Sequence, residues 1–164
     1  MQRLGIGATS TILTVAGGIP SWAAAATQKI SQVLQTTFAS QTSSSSTTYA
    51  DTGLTGSITP SLNTSKVLVI VSIPIAKTAG NDQNGIYLNI VRGATQIVEV
   101  GHVNLYTGTA IANYGIATFA YLDSPATTSS TTYKMQFKNE SATAAVQICP
   151  GAKTATMILM EVGA

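Results

Sequence analysis

Beyond residue 28 the chain is a succession of short apolar-rich runs, each closed by glycine, proline, asparagine or serine. No segment sustains the 3.6-residue repeat of a helix; the nearest, residues 23–35, keeps it only weakly. The runs at 29–38, 54–59 (closed by Pro60), 86–91, 96–100, 102–106, 111–122, 133–138, 144–149 and 156–162 each predict a strand. Residues 67–75, inside "KVLVIVSIPIA", are apolar almost without interruption and predict a strand at the centre of the core. Turn chemistry separates the runs: "AGNDQNG" at 79–85, with an Asn-Gly turn, and the hydroxyl-rich loops at 40–53 and 123–130. Glycine in "RGAT" at 92–95 predicts a hairpin, and 133–138 with 144–149 predicts another. The expected fold is all-β, an antiparallel β-sandwich or jelly-roll-like domain over 28–164.

Residues 1–27 differ in composition and predict a short extended N-terminal arm. Within "LTVAGGIPSWAAAAT" (13–27), a brief alternation at 12–15 leads to Gly17-Gly18, a turn, and then to Ile19-Pro20. A residue before proline avoids the helical region, so the segment from Ile19 to the sole tryptophan, Trp22, is expected to be extended. So small a piece cannot bury an indole by itself, which points to docking. A secretory leader is the rival reading: Arg3 is basic, 11–16 is mostly apolar, and Ala23-Ala24-Ala25 offers a cleavage site. Gly17-Gly18, Pro20 and Trp22 interrupt the apolar stretch such a leader needs, so the arm is expected to be retained.

Composition sharpens this. Serine and threonine occupy 41 of 164 positions and charged residues only 14, so polarity comes from hydroxyls that suit strand faces and turns. Sparse charge offers little electrostatic resistance to association, and a homo-oligomer is expected, with a trimer as the working number. The net charge of +2 is scattered, without aromatic-basic interleaving, which excludes a nucleic-acid stripe. No apolar run reaches the roughly 20 residues of a membrane helix, and no membrane partner is expected.

Candidate chemistry is thin, and no cofactor or enzymatic activity is expected. His102 is the only histidine, so one chain cannot assemble a histidine metal pair. Cys149, the only cysteine, lies in the apolar "VQICPG" and reads as a buried small hydrophobe rather than a nucleophile served by His102. The carboxylates Asp51, Asp82, Glu99, Asp123, Glu140 and Glu161 are dispersed, giving no acid pair. "NDQNG" at 81–85 lacks the ligand spacing of a calcium loop. Catalytic, cofactor-binding and metal residues are therefore all expected to be none.

The stretch "RLGIGATSTILTVAGGIPSWAA" (3–24) resembles a short module of tailed-bacteriophage structural proteins, particularly marine and cyanophage ones, which precedes a β-rich domain. The segments "GLTGSITPSLNTSKVLVIVS" (53–72), "LNIVRGATQI" (88–97), "FAYLDSPATTSSTTYKMQ" (119–136) and "TATMILMEVGA" (154–164) are similar, in the same order, to the body of such proteins. The resemblance implies a virion surface protein of the tail-fibre-like or capsid decoration (cement, head-fibre) type, on the exterior of the particle. It implies docking through Leu13, Val15, Gly17, Gly18, Pro20 and Trp22, with the major capsid protein or another virion protein as partner. Two other readings stand beside it: a tail-fibre or receptor-binding tip contacting host surface glycans, and a secreted carbohydrate-binding module.

Overall fold

The computed structural model describes residues 4–24, 29–141 and 143–163. Twelve strands are seen in them: β1 Thr11–Ala16, β2 Ile19–Ala24, β3 Ile30–Phe38, β4 Thr42–Ser44, β5 Ala50–Ile58 and β6 Lys66–Lys77. They continue with β7 Asp82–Arg92, β8 Thr95–Thr107, β9 Asn113–Asp123, β10 Thr131–Asn139, β11 Val146–Ile148 and β12 Ala155–Val162. A single 3-10 turn, Pro150–Ala152, interrupts the last two.

Two sheets enclose one core. One runs β5-β10-β7-β8; the other runs β3-β12-β6 and adds β9 on the far side of β6. All pairs are antiparallel. From β3 to β12 the chain changes sheet at most connections; only β3–β4, β7–β8 and β11–β12 stay within one sheet, and the crossings follow the pattern of a jelly roll. The second sheet is effectively four strands wide, because β4 and β11 prolong β3 and β12 beside the end of β6.

Strand alternation builds the core. Along β6, Val67, Val69, Val71, Ile73 and Ile75 point inward and are fully or almost fully buried. Leu54 and Ile58 of β5, Ile86, Leu88 and Ile90 of β7, Tyr133, Met135 and Phe137 of β10 and Met157 and Leu159 of β12 meet them. Pro74 explains the break between β11 and β12. Its carbonyl accepts from Cys149 N at 2.8 Å, so its missing N–H also faces that neighbour. The neighbouring chain leaves the ladder there for residues 149–154 and rejoins at Thr156, opposite Ser72.

Several sequence expectations change. The run 133–138 and the run 144–149 do not form a hairpin: β10 lies between β5 and β7, whereas β11 pairs with β4 and β6 of the opposite sheet. Asn84-Gly85 is not a turn but mid-strand, facing Leu105 and Asn104 of β8. The runs 96–100 and 102–106 are one strand, bent by register shifts at Leu88/Asn89 and Ile90/Val91 of its partner. The weak helix at 23–35 is replaced by the ends of β2 and β3, with 25–28 outside the described residues.

Candidate functional site

The N-terminal segment is a hairpin forming a sheet of its own, rather than a strand followed by an open arm. Gly17 and Gly18 both have positive φ, +60° and +81°, the requirement of the two-residue I′ turn that matches strand twist. That turn sets the register Val15↔Pro20 and Leu13↔Trp22. Residues directly opposed across an antiparallel pair share a face, so Leu13, Val15, Pro20 and Trp22 form one apolar patch. It is open to solvent, Val15 at 67% and Trp22 at 41%. The structure thus brings together on one face four of the six residues implied by the resemblance, and uses the two glycines to align them.

Trp22 is less dependent on outside help than its isolation in the sequence suggests. Its indole Nε1 donates to the Gly5 carbonyl at 2.7 Å. The ring also covers Gly7, where any Cβ would collide with it. The incoming 5–7 segment therefore meets the polar end of the side chain and part of its surface, while the rest stays exposed.

The sandwich has two chemically opposite outer faces. On the β5-β10-β7-β8 side, Lys134 bonds Asp51 at 2.9 Å and Gln136 donates to the same carboxylate at 2.7 Å. These contacts hold the Asp51 carboxyl below its usual range, Lys134 contributing most. Beside them, the Lys138 ammonium lies 4.6 Å from the ring centres of both Tyr49 and Tyr87. His102 stacks on Tyr87 at 4.5 Å and its Nε2 lies 2.9 Å from Glu140. Tyr49 donates to Glu99 at 2.7 Å; burial and that hydrogen bond push its phenol well above the usual range.

The opposite face carries rows read directly from strand register. Val33, Met160, Leu68 and Leu122 form one row, and Gln35, Ile158, Ile70 and Ala120 the next. Thr37, Thr156, Ser72 and Thr118 form a hydroxyl row, and beyond it lie Pro74 with Ile116 and Ala76 with Tyr114. Where the 149–154 detour rises beside Pro74, a groove of about 730 Å³ opens, walled by Tyr114, Ile116, Gln147, Pro150 and the exposed Lys153. None of these row positions is charged.

Sequence reasoning missed this surface. An unbroken apolar run looks the same whether covered on both sides or on one, and Leu68 and Ile70 are only half-buried. The signal was present in β9, where Tyr114, Ile116 and Leu122 alternate with the inward Ala117, Phe119 and Tyr121, yet both sets are apolar.

The interior polar groups tie the sheets together. Asp123 at the end of β9 accepts two bonds from Arg92 Nη1, at 2.9 and 2.8 Å, and one from Tyr133 at 2.6 Å. Burial, then the bond to Asp123, pushes the Tyr133 phenol far above its usual range. Glu161, fully buried, accepts from Ser61 N at 2.7 Å, Ser61 Oγ at 2.6 Å and Gln32 at 2.7 Å. Burial alone would raise its carboxyl, but these donors outweigh it and hold the value at about 2. Buried Lys77 donates to Thr107 at 2.5 Å, and Asn84 to Asn139, also at 2.5 Å, bracing the end of the sandwich near 78–85.

Cys149 is buried among core residues, and burial pushes its thiol up, which opposes a nucleophilic role. His102 belongs to the outer charged face and engages Tyr87 and Glu140. Among the described residues, no three His, Cys, Asp or Glu side chains gather as metal ligands.

No protein-family model matches the chain, and none of the curated proteins does. Similar solved structures are β-rich proteins. An infectious bursal disease virus particle protein matches with TM-score 0.48 and 11% identity, over 93% of this chain and 40% of that one. A subunit of disulfide-linked Bacillus endospore appendages matches with TM-score 0.41 and 11% identity, over 86% and 97%. The insecticidal delta-endotoxin Cry8Ea1 of Bacillus thuringiensis matches with TM-score 0.41 and 19% identity, over 75% and 20%. This chain thus spans a fifth of the endotoxin and two-fifths of the viral protein.

Proposed function

We propose that this chain is a non-enzymatic structural subunit on the exterior of a tailed-phage virion. Its role is that of a capsid decoration protein, anchored by residues 1–27 and displaying the jelly roll outward. The observation that carries this reading is the shared, exposed apolar face of Leu13, Val15, Pro20 and Trp22, aligned by a turn whose two positive-φ positions are filled by glycine. Burying such side chains contributes roughly 1.5–3 kcal/mol each, and repeated copies on a particle add avidity. Docking of this kind needs shape and apolar area, not chemistry, and it fits a chain whose histidine and cysteine are spent on structure.

The tail-tip reading has one observation in its favour, the aromatic and basic row Tyr49, Lys138, Tyr87 and His102. Glycan recognition uses free ring faces, however, and Tyr87 already lies under His102 and Lys138. The decoration reading is therefore preferred.

The test is rebinding of the full chain to particles stripped of it, with its position located by imaging. Wild type should return to the head. Val15→Arg should lower occupancy at least tenfold while the sandwich melts as wild type. Unchanged occupancy of Val15→Arg, or density at the tail tip alone, overturns the proposal.

A further inference from the structure

We infer that the uncharged outer face of the β3-β12-β6-β9 sheet is an interface between two copies of this chain, packed sheet on sheet about a twofold axis. The argument begins with area. Four strands about 4.8 Å apart, along the roughly 3.3 Å per residue of the eleven-residue β9, make a face of about 700 Å² in projection. Side-chain relief brings the accessible area close to the roughly 800 Å² per partner of a stable interface.

Charge placement agrees. Asp51, Glu99, Lys134, Lys138 and Glu140 gather on or beside the opposite sheet, leaving the apolar rows without an ion to desolvate. Lys66, exposed, stands at one end of the face; at the other, exposed Lys153 lines the groove beside Pro74, where its flexible stem can carry the ammonium out to solvent.

The order of the rows selects a second copy as the occupant. The hydroxyl row Thr37, Thr156, Ser72 and Thr118 crosses the middle, with Leu68, Ile70, Met160 and Leu122 on one side and Pro74, Ile116 and Tyr114 on the other. A twofold axis along the hydroxyl row lays each apolar end on the other end of the partner. It also sets hydroxyl against hydroxyl, and every hydroxyl both donates and accepts, so the row complements itself. The groove beside Pro74 then receives side chains from the end that holds Leu68 and Met160.

Sedimentation equilibrium of the full chain, with a thermal melt of each variant, tests the inference. Wild type should be dimeric, with Kd below about 10 µM. Ile116→Arg and Leu122→Arg, at exposed positions of an edge strand, should each raise Kd by about 30-fold or more and leave the monomer folded. Thr132→Arg, on the other sheet, and Leu13→Arg, in the hairpin, should leave Kd unchanged. A monomeric or trimeric wild type overturns the inference, as does a dimer indifferent to both β9 variants or one abolished by Leu13→Arg. Failure here leaves the hairpin anchor untouched, because the two surfaces share no residue.

Discussion

The hydroxyl of Tyr133 donates to Asp123 across the gap between the two sheets, at 2.6 Å and in a buried setting. Arg92 completes the arrangement from β7. Three strands from two sheets thus meet at one carboxylate, so the clamp acts on the relation between the sheets rather than on either alone.

Tyr133→Phe should keep the ring's packing and withdraw one donor from a buried anion. The expected loss is about 1.5–3 kcal/mol, read as a lower denaturant midpoint at unchanged slope. Asp123→Leu should cost more, since it strands the Arg92 guanidinium beside an apolar group. If Tyr133→Phe unfolds at the wild-type midpoint, the clamp carries no stability.

Glu161 gives the pH dependence a sign. Its carboxyl sits at about 2 in the folded chain and near 4.5 when unfolded, so its contribution is complete above pH 4.5. The contribution falls as pH drops through that window toward 2. Denaturant midpoints measured between pH 2 and 6 should decline for wild type, and decline less for Glu161→Gln.

Trp22 is the only tryptophan, so its emission reports on the hairpin without interference. Gly7→Val places atoms where the indole lies and should expel it, shifting emission to the red. The circular-dichroism melt of the sandwich should not move. Equal shifts in both signals would mean that the hairpin and the jelly roll unfold together.

Gly85 offers a parallel case on the charged face. A side chain there meets the His102 ring, so Gly85→Ala should lift that ring from Tyr87. In NMR spectra the His102 ring protons should lose the upfield shift of a stacked ring, with a stability change of about 1 kcal/mol or less because a surface ring can move. His102 resonances unchanged from wild type would refute the steric account.

The strands themselves were legible because each is short, apolar and closed by turn residues, and the all-β reading holds throughout the described residues. Pairing was not. The runs around β10 and β11 look like hairpin partners by proximity, yet a jelly roll sends successive strands to opposite sheets. Asn84-Gly85 carries a turn signature, but its glycine answers to a ring stacked above the strand, a tertiary demand that local sequence does not announce. In the hairpin the reverse holds. Gly17-Gly18 specify a two-residue turn, and that alone fixes which residues share a face with Trp22.

The segregation of charge to one side of the sandwich makes the single molecule a surfactant of defined polarity. At an air–water boundary it has an up and a down: the Leu68–Ile116 face turns to air and the Lys138–Glu99 face to water. In thin films used for imaging, isolated copies should therefore share one orientation, and joining the apolar sides should abolish that bias.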